Sequence, residues 1–266
     1  MTFEHGVPIA LWEGAAPGSE SWTHEEQVDS MSFLSGGRPL LRNVVHPRIT
    51  PYLPDGETDR AVIIAPGGAL HFLSTESEGS GVGELVRAVG STAVVLTYRV
   101  VPTPPDEEGF GTALRTAFAD GMEAATATVL PMAVADAVRA LELVRRAGYT
   151  HVTLVGFSAG ARVTAEVIVR GTPAQQPDAA AAVYLPELEE CSVDASAPPL
   201  FVLAAADDPL GIDGSLVLHR AWRQARAPVE LHLFERGGHG FGTSSTGLPV
   251  DRWPDLFLAW LATQQA

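Results

Sequence analysis

Short apolar runs alternate along this chain with longer segments in which apolar residues return every third or fourth position. The runs at 61–65, 91–100, 151–155, 180–185 and 200–205 are rich in β-branched residues or alanine, and the run at 229–234 alternates apolar with polar. This pattern predicts strands, most of them buried on both faces. The periodic segments predict helices at 78–89, from 131 to 148, from 159 onward, at 215–226 and at 251–261. In the second of these, Pro131 stands at the start, Val134, Ala137, Val138, Leu141 and Val144 share one face, and Gly148 closes it. Strand, helix and strand at such spacing imply right-handed parallel crossovers. The expected fold is therefore α/β: a central, mostly parallel sheet with helices on both faces, forming one domain over residues 1–266.

Residues 43–53 alternate apolar and polar and predict an edge strand, a place where Pro47 and Pro51 are tolerated. Residues 1–42 are turn-rich and mixed, and predict an N-terminal extension wrapped on the core. Residues 102–129 combine proline, glycine, acidic residues and scattered aromatics with weak periodicity. They predict a loop or short-helix insertion lying over the site like a lid. No internal repeat, low-complexity tract or linker interrupts the chain.

Composition narrows the classes of function. The formal net charge is −15 and every Lys or Arg is an arginine. An acidic chain without basic clusters is a poor binder of nucleic acid or of anionic membranes, and the absence of lysine excludes Schiff-base chemistry. Cys191 is the one cysteine, so no internal disulfide or cysteine-cluster metal site is expected. The N-terminal stretch lacks a basic n-region, and its apolar run is too short for a signal or membrane segment. A cytoplasmic enzyme needing neither metal nor organic cofactor is the expectation; the oligomeric state stays open.

The chemistry concentrates where the strand at 151–155 meets the helix starting at Ala159. Between them lies Gly156-Phe157-Ser158-Ala159-Gly160. A serine on so tight a strand-to-helix turn needs small neighbours, and its hydroxyl stands exposed at the mouth of the sheet, the arrangement called a nucleophile elbow in α/β-hydrolases. A serine alcohol needs an imidazole to take its proton and a carboxylate to hold that imidazole in the right tautomer. Both follow in the order this fold uses. After the strand at 200–205 comes Ala206-Asp207-Asp208-Pro209, and after the strand at 229–234 comes Gly237-Gly238-His239-Gly240. His239 is the candidate base, since most other histidines precede the working loops or lie within regular elements. Asp207 and Asp208 compete for the acid. Adjacent turn residues point in different directions, and Asp208, fixed by Pro209, is preferred. Two backbone N–H groups must hold the oxyanion: Ala159 after the nucleophile, and Gly68 or Ala69 in the Pro-Gly-Gly loop after the strand at 61–65. Leu70, His71, Phe157 and Phe241 are the expected substrate-contacting residues, crowding the loops around Ser158.

With these residues assembled, the chain from about 43 to 260 resembles α/β-hydrolase esterases related to acetyl-xylan and other carbohydrate acetylesterases. The resemblance rests on Tyr52-Leu53-Pro54, Ala65-Pro66-Gly67-Gly68, Glu78-Gly79, Tyr98-Arg99, the elbow, Ala206-Asp207-Asp208-Pro209 and the glycine-rich run at 237–242. It implies a Ser158–His239–Asp208 triad, an oxyanion loop at Gly67 to Ala69, and hydrolysis of short-acyl or acetyl esters through an acyl-serine. Members of that family often carry a third glycine and then an aromatic where this chain has Ala69 and Leu70. The same triad also serves thioesterases, peptidases and biosynthetic acyltransferases or cyclases, because it does not choose the acyl substrate. A non-catalytic ligand-binding protein on the same scaffold is the alternative from another class.

Overall fold

The structure is a computed structural model describing residues 1–30 and 37–264. Eleven strands are present among them: β1 (Ile9–Ala10), β2 (Gln27–Asp29), β3 (Leu40–Arg42), β4 (Arg48–Tyr52), β5 (Arg60–Ala65), β6 (Phe72–Leu73), β7 (Thr92–Thr97), β8 (His151–Phe157), β9 (Ala179–Val183), β10 (Leu200–Ala205) and β11 (Val229–Phe234). The helices are α1 (Gly81–Ala88), α2 (Glu107–Asp120), α3 (Met122–Thr126), α4 (Leu130–Arg146), α5 (Ala159–Arg170), α6 (Ile212–Ala225) and α7 (Trp253–Thr263). A π-helical turn at Glu76–Ser80 runs into α1.

Eight strands form one sheet in the order β1-β4-β7-β5-β8-β9-β10-β11. From β7 to β11 every pairing is parallel, while β4 runs antiparallel to both of its neighbours. Alternation along the strands divides the core. Ile63 of β5 and Leu154 of β8 face α4 and α5, whereas Val62, Ile64 and Val155 face α1 and α7. A third cluster packs α6, through Leu218 and Trp222, against β9 and β10. This is the α/β-hydrolase fold, with helices on both faces of a mostly parallel sheet, and it carries the ends of β5, β8, β10 and β11 to one rim. No helix among the described residues is long and apolar enough to cross a membrane.

Two sequence expectations change. The strand expected at 43–53 is not the edge: Ile9 and Ala10 pair outside it, opposite Ile49 and Arg48. The partner is a two-residue strand distant in sequence, so β4's own pattern could not disclose it. The segment 102–129 is more regular than expected. Asp106 caps α2 by accepting from the Gly109 N–H at 2.7 Å. Phe110, Leu114 and Ala117 form its buried stripe, and the first two join Leu40 and Phe72 in a small separate core. So narrow a stripe gives the sequence little periodicity. The insertion is anchored at its base by buried Arg42, which pairs with Asp29, donates to the Pro104 and Pro105 carbonyls at 2.9 and 3.1 Å, and stacks its guanidinium on Phe110.

The N-terminal extension is fixed by another buried cation. Arg99 grips both oxygens of Asp136 on α4, with Nε to Oδ2 and Nη2 to Oδ1 each at 2.9 Å, and Nη1 reaches the Pro17 carbonyl at 2.6 Å. Trp12 donates to the same aspartate at 2.8 Å. Both charged side chains are fully buried. Asp136→Ala would leave the guanidinium unpaired in the core, and a loss of about 3–5 kcal/mol is expected. Chemical denaturation checks this; a loss below about 1 kcal/mol would show that the pair is not holding the extension.

Candidate active site

The elbow follows from steric demand. Ser158 has φ 50° and ψ −117°, a conformation that L-residues hold only where the surroundings enforce it. A Cβ on Gly156 would lie 2.1 Å from the Gly160 carbonyl oxygen, and one on Gly160 would lie 2.0 Å from that of Ala65. Both positions must therefore be glycine if α5 is to start directly against β5. The Ser158 N–H is held by the Val183 carbonyl at 3.0 Å.

Ser158 Oγ lies 2.7 Å from His239 Nε2, and His239 Nδ1 lies 2.8 Å from Asp208 Oδ2. Asp208 is fully buried, and its other oxygen accepts the Leu210 N–H at 2.9 Å. Its carboxylate is thus fixed by two donors while the imidazole remains reachable from outside. Asp207 points away, as adjacent turn residues must. Rather than standing free in solvent, it accepts the N–H groups of Gly237 and Gly238 at 2.9 and 2.8 Å. These backbone bonds hold its carboxyl below the usual range, and they clamp the turn that presents His239.

The loop after β5 lies directly against the serine: a Cβ placed on Gly67 would come within 2.8 Å of Ser158 Cβ. Gly68, Ala69 and Leu70 all have positive φ, at 136°, 54° and 56°. For the two non-glycine residues this costs on the order of 1–2 kcal/mol each. The Gly68 carbonyl, which accepts from His71 and Phe72, and the Leu70 carbonyl, which accepts from Val101, hold the loop in this shape. The backbone N–H groups of Gly68, Ala69 and Ala159 donate to no acceptor among the described residues, and Ala159 opens α5, where the helix dipole favours negative charge.

The expected substrate-contacting residues divide. His71 lines a cavity of about 450 Å³ with Thr103 and with Thr116, Asp120 and Ala124 of the insertion. Its Nδ1 donates to the Ala69 carbonyl at 2.7 Å, and burial lowers its pKa. In the neutral ring, donation from Nδ1 leaves Nε2 as an acceptor. Phe157 is wholly buried, packed on Tyr184 and Trp253 beneath the elbow. Phe241 packs edge-on against Tyr184, and Leu70 belongs to the core on the α4 side. All three are buried beneath the loops, Phe157 and Phe241 because β8 and the histidine loop turn them inward. Arg99, bound to Asp136, is likewise structural.

Sequence reasoning gave no role to Glu78, which it quoted only as part of the resemblance, or to Tyr184. Glu78 Oε2 accepts the Gly67 N–H at 2.7 Å and Oε1 accepts the Tyr184 hydroxyl at 2.5 Å. Tyr184 in turn accepts the Gly242 N–H at 3.2 Å and packs its ring 5.0 Å from that of His239. Burial raises both pKa values, that of Tyr184 further through the adjacent Glu78. Glu78 opened an expected helix, and its link to Tyr184, which would have given it a role, spans 106 positions.

This fold, with serine, histidine and aspartate disposed on three loops at one rim of the sheet, defines an α/β-hydrolase. The chain belongs to the dienelactone hydrolase family, whose profile matches residues 104–253. It is a hydrolase of carboxylic esters. Solved structures of similar fold include the acetyl ester-xyloside bifunctional hydrolase of Caldicellulosiruptor lactoaceticus, 22% identical at TM-score 0.70 over 98% of this chain and 97% of that one. The thermophilic esterase Est2 of the Planctomycetes species Thermogutta terrifontis is 18% identical at TM-score 0.64, over 82% and 90%. The carboxylesterase Cest-2923 of Lactobacillus plantarum WCFS1 is 19% identical at TM-score 0.62, over 92% and 98%. At these identities the likeness is one of fold. No curated protein matches the chain.

Proposed function

We propose that the protein hydrolyses short-acyl carboxylic esters through an acyl-serine intermediate on Ser158. The observation that carries this reading is the continuous relay from Ser158 Oγ through His239 to buried Asp208, at 2.7 and 2.8 Å. His239 Nε2 takes the serine proton as Oγ attacks the ester carbonyl, and Asp208 holds the proton on Nδ1 and stabilises the imidazolium. The oxyanion is held by the Ala159 N–H together with that of Gly68 or Ala69. His239 then gives its proton to the departing alcohol, and a water activated by the same imidazole releases the acid.

The cavity between His71 and the insertion is the proposed alcohol side. His71 Nε2 and Asp120 offer acceptors there among alanine and threonine side chains, which suits an uncharged alcohol bearing a hydroxyl donor. The net charge of −15 disfavours polyanions. On the acyl side the reading is acetyl to butyryl. The Thermogutta terrifontis esterase, with the same fold, has been solved with propionate and with butyrate bound. Across p-nitrophenyl esters of two to sixteen carbons, kcat/KM is expected to be highest at two to four carbons and to decline beyond. A maximum at ten or more would mean a deep, lipase-like acyl pocket and would refute the short-acyl reading.

A further inference from the structure

Among the described residues, Glu78 is the one buried acid in contact with the site that the chemistry above does not use. It lies in the π-helical turn before α1 and is almost wholly buried. Among the described residues no arginine pairs with it. It accepts from the Gly67 N–H and the Tyr184 hydroxyl, and its charge also acts on His239 and on Tyr98, whose own hydroxyl donates to the Pro66 carbonyl. Burial favours the neutral form of Glu78, while the Tyr184 hydroxyl, the Gly67 N–H and His239 favour its carboxylate. Among the described residues, the group by Glu78 that gains a positive charge during the reaction is His239, as it becomes imidazolium.

Connectivity leads to the same place. One oxygen of Glu78 holds Gly67, and with it the loop carrying Gly68 and Ala69. The other reaches the histidine loop through Tyr184 and the Gly242 N–H. Thr243 strengthens this second tie by donating its N–H and its hydroxyl to the Ser77 carbonyl, each at 3.0 Å. There is no spare room at either contact: a Cβ on Gly67 would meet Glu78 Oε2 at 2.6 Å, and one on Gly242 would meet Glu78 Cγ at 3.1 Å.

We infer that Glu78 is a positioning residue: through Gly67 and Tyr184 it fixes the oxyanion loop and the histidine loop relative to each other, and its carboxylate stabilises the imidazolium of His239. This rests on the reading of Ser158 and His239 given above. It divides the electrostatic task, with Asp208 acting at Nδ1 and Glu78 from the side of Tyr184, whose ring packs on that of His239.

Glu78→Gln keeps the size and removes the charge. It is expected to lower kcat for p-nitrophenyl acetate by on the order of 10²-fold, with little change in KM. It is also expected to move the acid limb of kcat/KM against pH to lower pH, because an imidazole without the nearby anion holds its proton less tightly. Glu78→Asp keeps the charge but loses the reach. It should lower kcat while leaving the acid limb where the unaltered protein has it. A purely structural role would reduce thermal stability in both variants and leave the limb unmoved. Folded E78Q with kcat within threefold of the unaltered protein and an unmoved limb would overturn the inference. Should E78Q not accumulate as folded protein, Tyr184→Phe breaks the tie to Gly242 and is expected to lower kcat about tenfold, the effect of losing a hydrogen bond to a charged group. An unchanged kcat there would overturn the inference equally. Ser158→Ala in the same assay separates the two claims. Activity that survives S158A removes the reading of the site itself, whereas inactive S158A beside normal E78Q removes only the role of Glu78.

Discussion

With alanine in place of Ser158, ester hydrolysis is expected to fall by at least about 10³-fold in kcat while the protein stays folded. The substitution removes a single oxygen, the one 2.7 Å from His239 Nε2. It leaves untouched what shapes the elbow: the Ser158 N–H bond to Val183 and the close contacts that require Gly156 and Gly160. Alanine can be held at φ 50° by the same surroundings, so the melting temperature should stay close to that of the unaltered protein. Whatever rate survives would come from the oxyanion donors and from binding alone. Retention of more than about a tenth of the activity would mean that another group attacks the ester.

Asp208→Asn is expected to cost on the order of 10⁴-fold, far more than the same change at Asp207. The reason lies in the donors around Asp208. One of its oxygens already accepts the Leu210 N–H, so the asparagine carbonyl takes that place and its NH₂ faces His239 Nδ1. The imidazole must then accept at Nδ1 and carry its proton on Nε2, pointing it at Ser158, where it cannot take the serine proton. Asp207→Asn keeps a carbonyl for the Gly237 and Gly238 N–H groups, both of which bind one oxygen of Asp207. Its cost should be less than about tenfold, on the scale of one weakened hydrogen bond to a charged group. The Asp207 carboxyl is held below its usual range in the folded protein. Its contribution is therefore complete above the ordinary carboxylate value and is lost as pH falls through the lowered one. The D207N variant should lose that acid dependence. Steady-state rates for the two asparagine variants, with circular dichroism to show both folded, decide the matter; a larger loss in D207N would reverse the assignment.

What could be read from the residue order is whatever acts over short sequence distances. The apolar run of β8, the two glycines and the alanine-rich α5 identify the elbow within twenty residues, and Asp208 and His239 follow from their places after successive strands. Pro209 favoured Asp208 over its neighbour; in the structure Asp208 lies 2.8 Å from His239 Nδ1, while Asp207 binds the Gly237 and Gly238 N–H groups. The order could not reveal contacts between distant segments. Glu78 needs Tyr184, Arg42 needs the carbonyls at 104 and 105, and β4 needs the strand at Ile9–Ala10. Phe157 and Phe241 misled for a related reason. An aromatic beside a reactive residue can face substrate or core, and only the sheet's alternation and the ring of Tyr184 turn these two inward.

Covalent capture of the nucleophile tests the central claim most directly. The intact protein, treated with a fluorophosphonate and digested, should yield one modified peptide, spanning residues 157–160 with the adduct on Ser158. Labelling should be absent in Ser158→Ala and slowed in parallel with ester hydrolysis in Asp208→Asn. An adduct on another residue, or labelling of Ser158→Ala at the rate of the unaltered protein, would contradict the assignment of Ser158 as nucleophile.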